Sequence, residues 1–251
     1  MYPIPESINV YNESYFSGAK DGFGYVDYDI DKEPMIPTFE KYLDIFGSLG
    51  VTHGRLLDVG SATGFFMNIA KSRGFDVFGV EMSDFAAEKG RKTGLDIVTG
   101  DLSTPHFPDE YFDIITMFDV LEHVTDPKAT LLEARRILVK DGLLVINTPD
   151  AESFWAKILG KHWQLIMPPE HIHYFSPKNL SEYLSKNGFE TVINTKIEKR
   201  FTLQYIFKML YKWQNLGVWN YLTNLLSSGS LSKLYIPINL YDNFFIILRK
   251  K

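Results

Sequence analysis

The sequence predicts an α/β chain built on a doubly wound, mostly parallel sheet. Three observations point there. An apolar run, Leu56-Leu57-Asp58-Val59, stops at Gly60-Ser61-Ala62-Thr63-Gly64 and reopens as Phe65-Phe66-Met67-Asn68-Ile69-Ala70, which reads as strand, glycine turn and helix. A second run, Val77-Phe78-Gly79-Val80, ends in Glu81, 17 residues beyond Gly64. From Arg55 to Thr148, strand-like and helix-like runs alternate, as they do when crossover helices join parallel strands.

The elements follow in order. Residues 1–33 are rich in aromatics, glycine and acids (Tyr15, Phe16, Phe23, Tyr25, Tyr28) and too aromatic for a disordered tail. Pro34 to Gly50 reads as a helix with Phe39, Tyr42, Leu43 and Phe46 on one stripe. Leu95-Asp96-Ile97-Val98, Phe112-Asp113-Ile114-Ile115-Thr116-Met117 and Gly142 to Pro149 are further strands. Asp126-Pro127 opens a helix, with an acidic N-cap and proline at the first helical position, and Leu131, Leu132, Ile137 and Leu138 form its apolar side. Ser176-Pro177 repeats that start, and Gly188 stops the helix whose buried side is Leu180, Tyr183 and Leu184. Phe189 to Ile193 and Phe244 to Leu248 are the last two strands expected of the sheet. Between them, residues 200–241 carry Phe201, Tyr205, Phe207, Tyr211, Trp213, Trp219 and Tyr221. The same stretch holds Arg200, Lys208, Lys212 and Lys233 and no Asp or Glu.

Composition narrows the function. The 251 residues are 45% hydrophobic and 23% charged, ordinary for a globular domain with a sizeable core. A net charge of −5 argues against a general nucleic-acid binder. There are no cysteines, which removes disulfides, thiol catalysis and thiolate zinc sites. The opening residues, Met1 to Glu6, lack a basic region followed by an apolar core, and no apolar run reaches about 18 residues. A cytoplasmic protein without a transmembrane segment is expected.

The glycine turn and Glu81 imply a nucleoside-containing cofactor. A turn of this kind sets bare backbone and a helix N-terminus against a ligand, and a carboxylate at the end of the next strand can accept both ribose hydroxyls. The dinucleotide pattern G-x-G-x-x-G fails at Ala62 and Phe65. The pattern D-x-G-x-G-x-G fits better: Asp58, Gly60 and Gly64 match, and Ala62 replaces the middle glycine, a methyl that is tolerable where φ is negative.

With Gly100-Asp101-Leu102, Phe118-Asp119-Val120-Leu121-Glu122-His123-Val124 and Gly142 to Pro149, the first 150 residues resemble the class I S-adenosylmethionine-dependent methyltransferases, in particular a subgroup like the small-molecule O-methyltransferases. The resemblance implies a Rossmann-like, seven-stranded sheet whose last strand is antiparallel. It also implies a segment (1–37) that covers the cofactor, a core (38–199), a basic aromatic insert (200–241) and a last core strand (242–251). Packing against the outside of the domain is the alternative for the first segment. The insert reads as a lid over the acceptor, as a peripheral membrane contact, or as a helical pair completing the core or a homodimer.

The resemblance places Asp58, Gly60, Ser61, Ala62 and Gly64 along the methionine and ribose of S-adenosylmethionine. Glu81 falls on the ribose, Met82 on the adenine, Asp101 and Leu102 at its edge, and Phe118 and Asp119 beneath the cofactor. The product would be S-adenosylhomocysteine.

The candidate bases are Asp119 and His123 after the fourth strand, and His171 and His173 in the loop Pro168-Pro169-Glu170-His171-Ile172-His173-Tyr174-Phe175-Ser176. In extended backbone the last two histidines would share a face. No metal is assigned. The spacing of Asp119, Glu122 and His123 also resembles that of some metal-dependent O-methyltransferases, with His171 or His173 as a further ligand.

The expected reaction is methyl transfer to a small-molecule acceptor, an oxygen of a sugar or of a quinone-like phenol. The alternative is a non-catalytic S-adenosylmethionine binder or assembly partner.

Overall fold

The computed structural model describes residues 13–17, 28–168, 170–196, 199–214, 216–226, 235–238 and 241–251. Phe23, Tyr25, Pro169 and Lys233 lie outside the described residues. For Arg200, Phe201, Tyr205, Lys208, Lys212 and Trp213 the backbone alone is described. The strands are β1 (Gly54–Val59), β2 (Phe75–Glu81), β3 (Asp96–Thr99), β4 (Phe112–Phe118), β5 (Leu138–Pro149), β6 (Phe189–Thr195), β7 (Lys199–Thr202), β8 (Tyr235–Ile238) and β9 (Asn243–Lys250). Seven of them form one sheet in the order β3-β2-β1-β4-β5-β9-β6. β1 to β5 pair in parallel, and β9 runs antiparallel to both β5 and β6. This is the Rossmann-like, seven-stranded sheet with an antiparallel last strand that the family resemblance implies.

Helices cover both faces. They are α1 (Glu13–Phe16), α2 (Tyr28–Lys32), α3 (Ile36–Ser48), α4 (Phe65–Ser72), α5 (Asp84–Lys92), α6 (Pro127–Ile137), α7 (Phe154–Leu159), α8 (Pro177–Lys186), α9 (Leu203–Gln214) and α10 (Gly217–Leu225). One core joins the sheet to α6 and α8 through Leu131, Ile137, Leu180 and Leu184, and the other joins it to α3 and α4 through Tyr42, Phe46, Phe66 and Met67. β9 serves both cores because its side chains alternate: Phe244, Ile246 and Leu248 face one, Phe245 and Ile247 the other. Phe245 is fully buried and stacks on Tyr42 at 4.5 Å. Phe245→Ala is therefore expected to cost about 3–5 kcal/mol of stability. Chemical denaturation checks this, and a loss under about 1 kcal/mol would show that α3 repacks over the gap.

The helix starts follow local rules. Asp126 accepts the backbone N–H groups of Lys128 and Ala129 and Pro127 begins α6. Ser176 and Asn179 exchange hydrogen bonds in a capping box at the start of α8. Two expectations on α6 fail: Leu132 is 51% exposed, with Ala134 in the buried position between Leu131 and Ile137, and Leu138 opens β5 instead of extending the helix. Helix α7, capped by Ser153, was not anticipated. Its Phe154 and Ile158 are exposed, so it shows no buried stripe for a periodicity argument to find. Residues 200–241 include more than a helical pair: β7 and β8 form a separate two-stranded ribbon flanking α9 and α10. Among the described residues, no helix is long and apolar enough to cross a membrane.

Candidate active site

The strand order reverses between β1 and β4, and a crevice beyond the carboxyl ends of such strands is where this architecture takes ligands. The glycine turn leaves β1 there. Gly60 N–H and Ser61 N–H donate to Val80 O at 2.8 and 3.1 Å, which pulls the turn against β2. Gly60 has φ +72°, and a Cβ there would lie 2.5 Å from Val120, so glycine is required on two grounds. Ala62 departs from the condition the sequence reading set for it. Its φ is +50°, in the left-handed region, at a cost of roughly 1–2 kcal/mol for a residue with a Cβ. A buried hydrogen bond holds it there, Ala62 N–H to Glu81 Oε2 at 2.8 Å.

Glu81 is the hub of this end. Its other oxygen, Oε1, accepts Ser83 N–H at 2.8 Å, so both oxygens are fixed before any ligand arrives. Burial raises its pKa, and the backbone N–H groups offset part of that rise. Behind it, Asp58 is buried and accepts Thr116 Oγ1–H at 2.7 Å. Burial, opposed by that hydroxyl and reinforced by the charge of Glu81, lifts the Asp58 carboxyl to about 7.

The consequence for stability has a definite sign. The folded state keeps a proton on Asp58 that the unfolded chain releases near pH 4, so stability falls as pH rises from about 4 to 7. Asp58→Asn, which preserves an acceptor for Thr116, is expected to reduce that slope and to stabilise the protein near pH 8. Thermal melts across this window check it, and an unchanged slope would place the titration elsewhere.

The remaining cofactor candidates fall out unevenly. Met82, the residue after β2, is 63% exposed. Asp101 Oδ1 accepts from the backbone and hydroxyls of Ser103 and Thr104, which lowers its pKa. The Leu102 side chain is buried in the core with α6 rather than displayed at a surface. The Phe118 ring packs among Phe39, Tyr42 and Phe66. Asp119, at φ +55°, accepts the side-chain amides of Asn147 and Asn243, both at 3.1 Å.

Long-range contacts at this end escaped the sequence reading. Asp29 of α2 accepts Thr63 Oγ1–H at 2.5 Å and pairs with Lys89 Nζ of α5 at 2.8 Å. Phe16 of α1 is buried against Ala62 and Ala86. Lys32 is half-buried; burial lowers its pKa while Asp119 and Asp31 act in the opposite direction. The described part of the N-terminal segment thus lies on the glycine turn. No local pattern announces a pair such as Asp29 and Thr63, 34 residues apart.

The second cluster lies past β4 and β5. Glu122 is 1% exposed and accepts Thr148 Oγ1–H at 2.8 Å. Its backbone oxygen accepts the N–H groups of Ile172 and His173, which staples the proline-rich loop to the end of β4. His123 Nδ1 meets Glu170 O at 2.9 Å and His171 Nδ1 meets Leu165 O at 2.8 Å. A carbonyl only accepts, so both rings carry their hydrogen on Nδ1. The rings sit edge to face, 4.6 Å between centroids. Burial first, then the charge of His171, depresses the His123 pKa to about 4.

The expectation that His171 and His173 share a face gives way to a different pairing. His173 packs on Phe175 and turns Nε2 towards Thr125 O at 3.4 Å, while His171 joins His123. Asp119 is not a member of the Glu122–His123–His171 group.

Fold and site together define a nucleoside-cofactor-dependent transferase of the Rossmann-like class. The chain belongs to the methyltransferase-domain family, whose model matches residues 34–193, and it is an S-adenosylmethionine-dependent methyltransferase. It is 29% identical over 147 residues to an uncharacterized protein of Methanocaldococcus jannaschii, covering 58% of this chain and 69% of that one. It is 28% identical over 158 residues to a protein of Glaesserella parasuis named ubiquinone biosynthesis O-methyltransferase, covering 56% of this chain and 67% of the relative. The solved magnesium protoporphyrin IX methyltransferase of Synechocystis PCC 6803, which contains bound S-adenosylhomocysteine, superposes with a TM-score of 0.60 at 13% identity, over 98% of this chain and 100% of that one.

Proposed function

We propose that the chain transfers the methyl of S-adenosylmethionine to an oxygen of a small-molecule acceptor, a phenol related to quinones or a sugar hydroxyl. The observation that carries this reading is the Glu122–His123–His171 cluster, a polar group built from buried and half-buried side chains past the same strand ends as the cofactor crevice. Relatives named as O-methyltransferases at 28% and 29% identity support oxygen as the acceptor atom.

Glu81 holds the ribose hydroxyls, with Asp58, Gly60, Ser61, Ala62 and Gly64 along the ribose and methionine. Met82 packs on the adenine, Asp101 and the backbone of Leu102 border it, and Phe118 and Asp119 floor the site. Methyl transfer is an in-line displacement with a neutral thioether as leaving group, so no acid is needed. Alignment provides much of the rate. The acceptor proton is taken at the cluster, where the lone pair of a neutral imidazole is the base.

Residues 13–17 and 28–37 close one side through Phe16 and Asp29. The 200–241 insert, with Val218, Tyr221 and Leu225 exposed, supports an apolar acceptor or a lipid-surface contact. The test is conversion of S-adenosylmethionine to S-adenosylhomocysteine with catechol as acceptor, followed by mass analysis of the product. Methylation of an amine analogue with catechol untouched would overturn the choice of oxygen.

A further inference from the structure

Arg135 sits in the last turn of α6, beside Arg136. The helix dipole favours cations there, which accounts for the charge but not for its surroundings. The Arg135 Nε is buried and has no hydrogen-bond partner among the described residues. Its guanidinium lies over Gly188, where a Cβ would stand 2.8 Å from Nε and 2.9 Å from Nη2. Gly188 has φ +80°, so glycine both turns the chain after α8 and clears the backbone for the guanidinium. The fork is thus fixed in place, with one N–H taken from water and given no acceptor in return.

The neighbouring charges are committed elsewhere. Arg135 lines a cleft of about 360 Å³ with Leu132, Arg136, Lys250, Asp109 and Glu110. That volume falls at the lower end of the range for small-molecule sites, about 300–1,000 Å³. Arg136 pairs with Asp109 and Glu133 and gives Nη2–H to Phe107 O at 2.7 Å. Lys250 is buried, and its ammonium bonds Glu110 Oε1 at 3.2 Å and Leu138 O at 2.6 Å. An ammonium has a third N–H, which these two acceptors leave for a ligand. Both acids of the cleft are therefore engaged by cations other than Arg135. Leu132, which is exposed, supplies an apolar wall. The cleft adjoins the start of β4 and the end of β9, at the opposite end of the sheet from the glycine turn.

We propose that this cleft binds a small organic monocarboxylate, its oxygens on the Arg135 guanidinium and the Lys250 ammonium and its hydrocarbon part on Leu132. A guanidinium fork and a carboxylate match in two parallel hydrogen bonds. Burial of the Arg135 Nε and of Lys250 strengthens both contacts, because the local dielectric is low. Asp109, Glu110 and Glu133 stand close by, so a multiply charged anion meets more repulsion than a monoanion does. The site lies apart from the cofactor crevice, and the proposal stands whatever the methyl acceptor is.

The experiment titrates the full-length protein with sodium benzoate at constant ionic strength, with sodium chloride making up the balance. The Arg135 Nε–H resonance in ¹⁵N-edited NMR spectra, assigned by its loss in Arg135→Gln, reports on the native protein. The backbone N–H of Gly188 reports on native protein and variants alike. A saturable shift with a dissociation constant of about 1 mM or tighter is expected. Arg135→Gln should weaken benzoate binding by roughly tenfold or more. Leu132→Glu, which places an acid on the exposed rim, should weaken it by a smaller factor. S-adenosylmethionine affinity should be unchanged in both variants, which reports an intact fold. Benzoate that fails to saturate the native protein overturns the proposal, as does equal binding by Arg135→Gln. A response to sodium chloride alone equal to that with benzoate also overturns it. Inorganic phosphate bound more tightly than benzoate would overturn the choice of a monocarboxylate.

Discussion

Glu81→Ala is expected to weaken S-adenosylmethionine binding by about 100-fold or more, measured by calorimetry. Two hydrogen bonds to a carboxylate contribute roughly 1.5–3 kcal/mol each, and every 1.4 kcal/mol is tenfold. The variant also removes the acceptor for Ala62 N–H and Ser83 N–H, so the left-handed conformation of Ala62 loses the bond that holds it. Part of the loss is therefore preorganisation of the turn rather than direct contact. Glu81→Gln, whose single amide oxygen can serve only one side, should fall between the two. Thermal stability should move by only a few degrees, because the two orphaned N–H groups are offset by relief of a buried charge. Unchanged affinity in Glu81→Ala would refute the ribose assignment.

The second large effect is on turnover. His123→Ala and His171→Ala are each expected to lower the rate of S-adenosylhomocysteine formation by roughly 10²–10⁴, the usual contribution of proton removal at a positioned group. Cofactor affinity should not change, since both rings lie in the cluster that ends β4 and the following loop and not in the glycine turn. His173→Ala serves as the comparison. Its ring packs on Phe175 and points towards Thr125 O, so it should retain most activity. If His173→Ala is the inactive variant and His171→Ala is not, the acceptor approaches from the opposite side of the loop. The double variant His123→Ala/His171→Ala should be little worse than either single one if the two rings act as a unit.

Much of the fold was legible in the chain because its determinants are local. Asp126-Pro127 and Ser176-Pro177 mark helix starts through contacts within four residues, and the apolar runs of β1, β4 and β9 announce buried strands by composition alone. Helix α7 was not legible because its apolar side chains face outward, so burial does not impose a period on them. The same limit applies to Leu132, whose position on the stripe was right by spacing and wrong by packing.

At the candidate site the sequence determined which chemical groups were available: a glycine turn, an acid after β2, and histidines on either side of β5. Tertiary structure decided how they combine. Ala62 adopts a left-handed backbone because Glu81, 19 residues away, accepts its N–H. Asp29 reaches Thr63 because α2 packs on the turn. His171 rather than His173 meets His123, in a loop whose Ile172 and His173 N–H groups are held by Glu122 O. Each of these choices is made by a hydrogen bond between segments distant in the chain. A periodic pattern carries information over one or two turns of helix, and it has no means of encoding which distant carbonyl a given N–H will find.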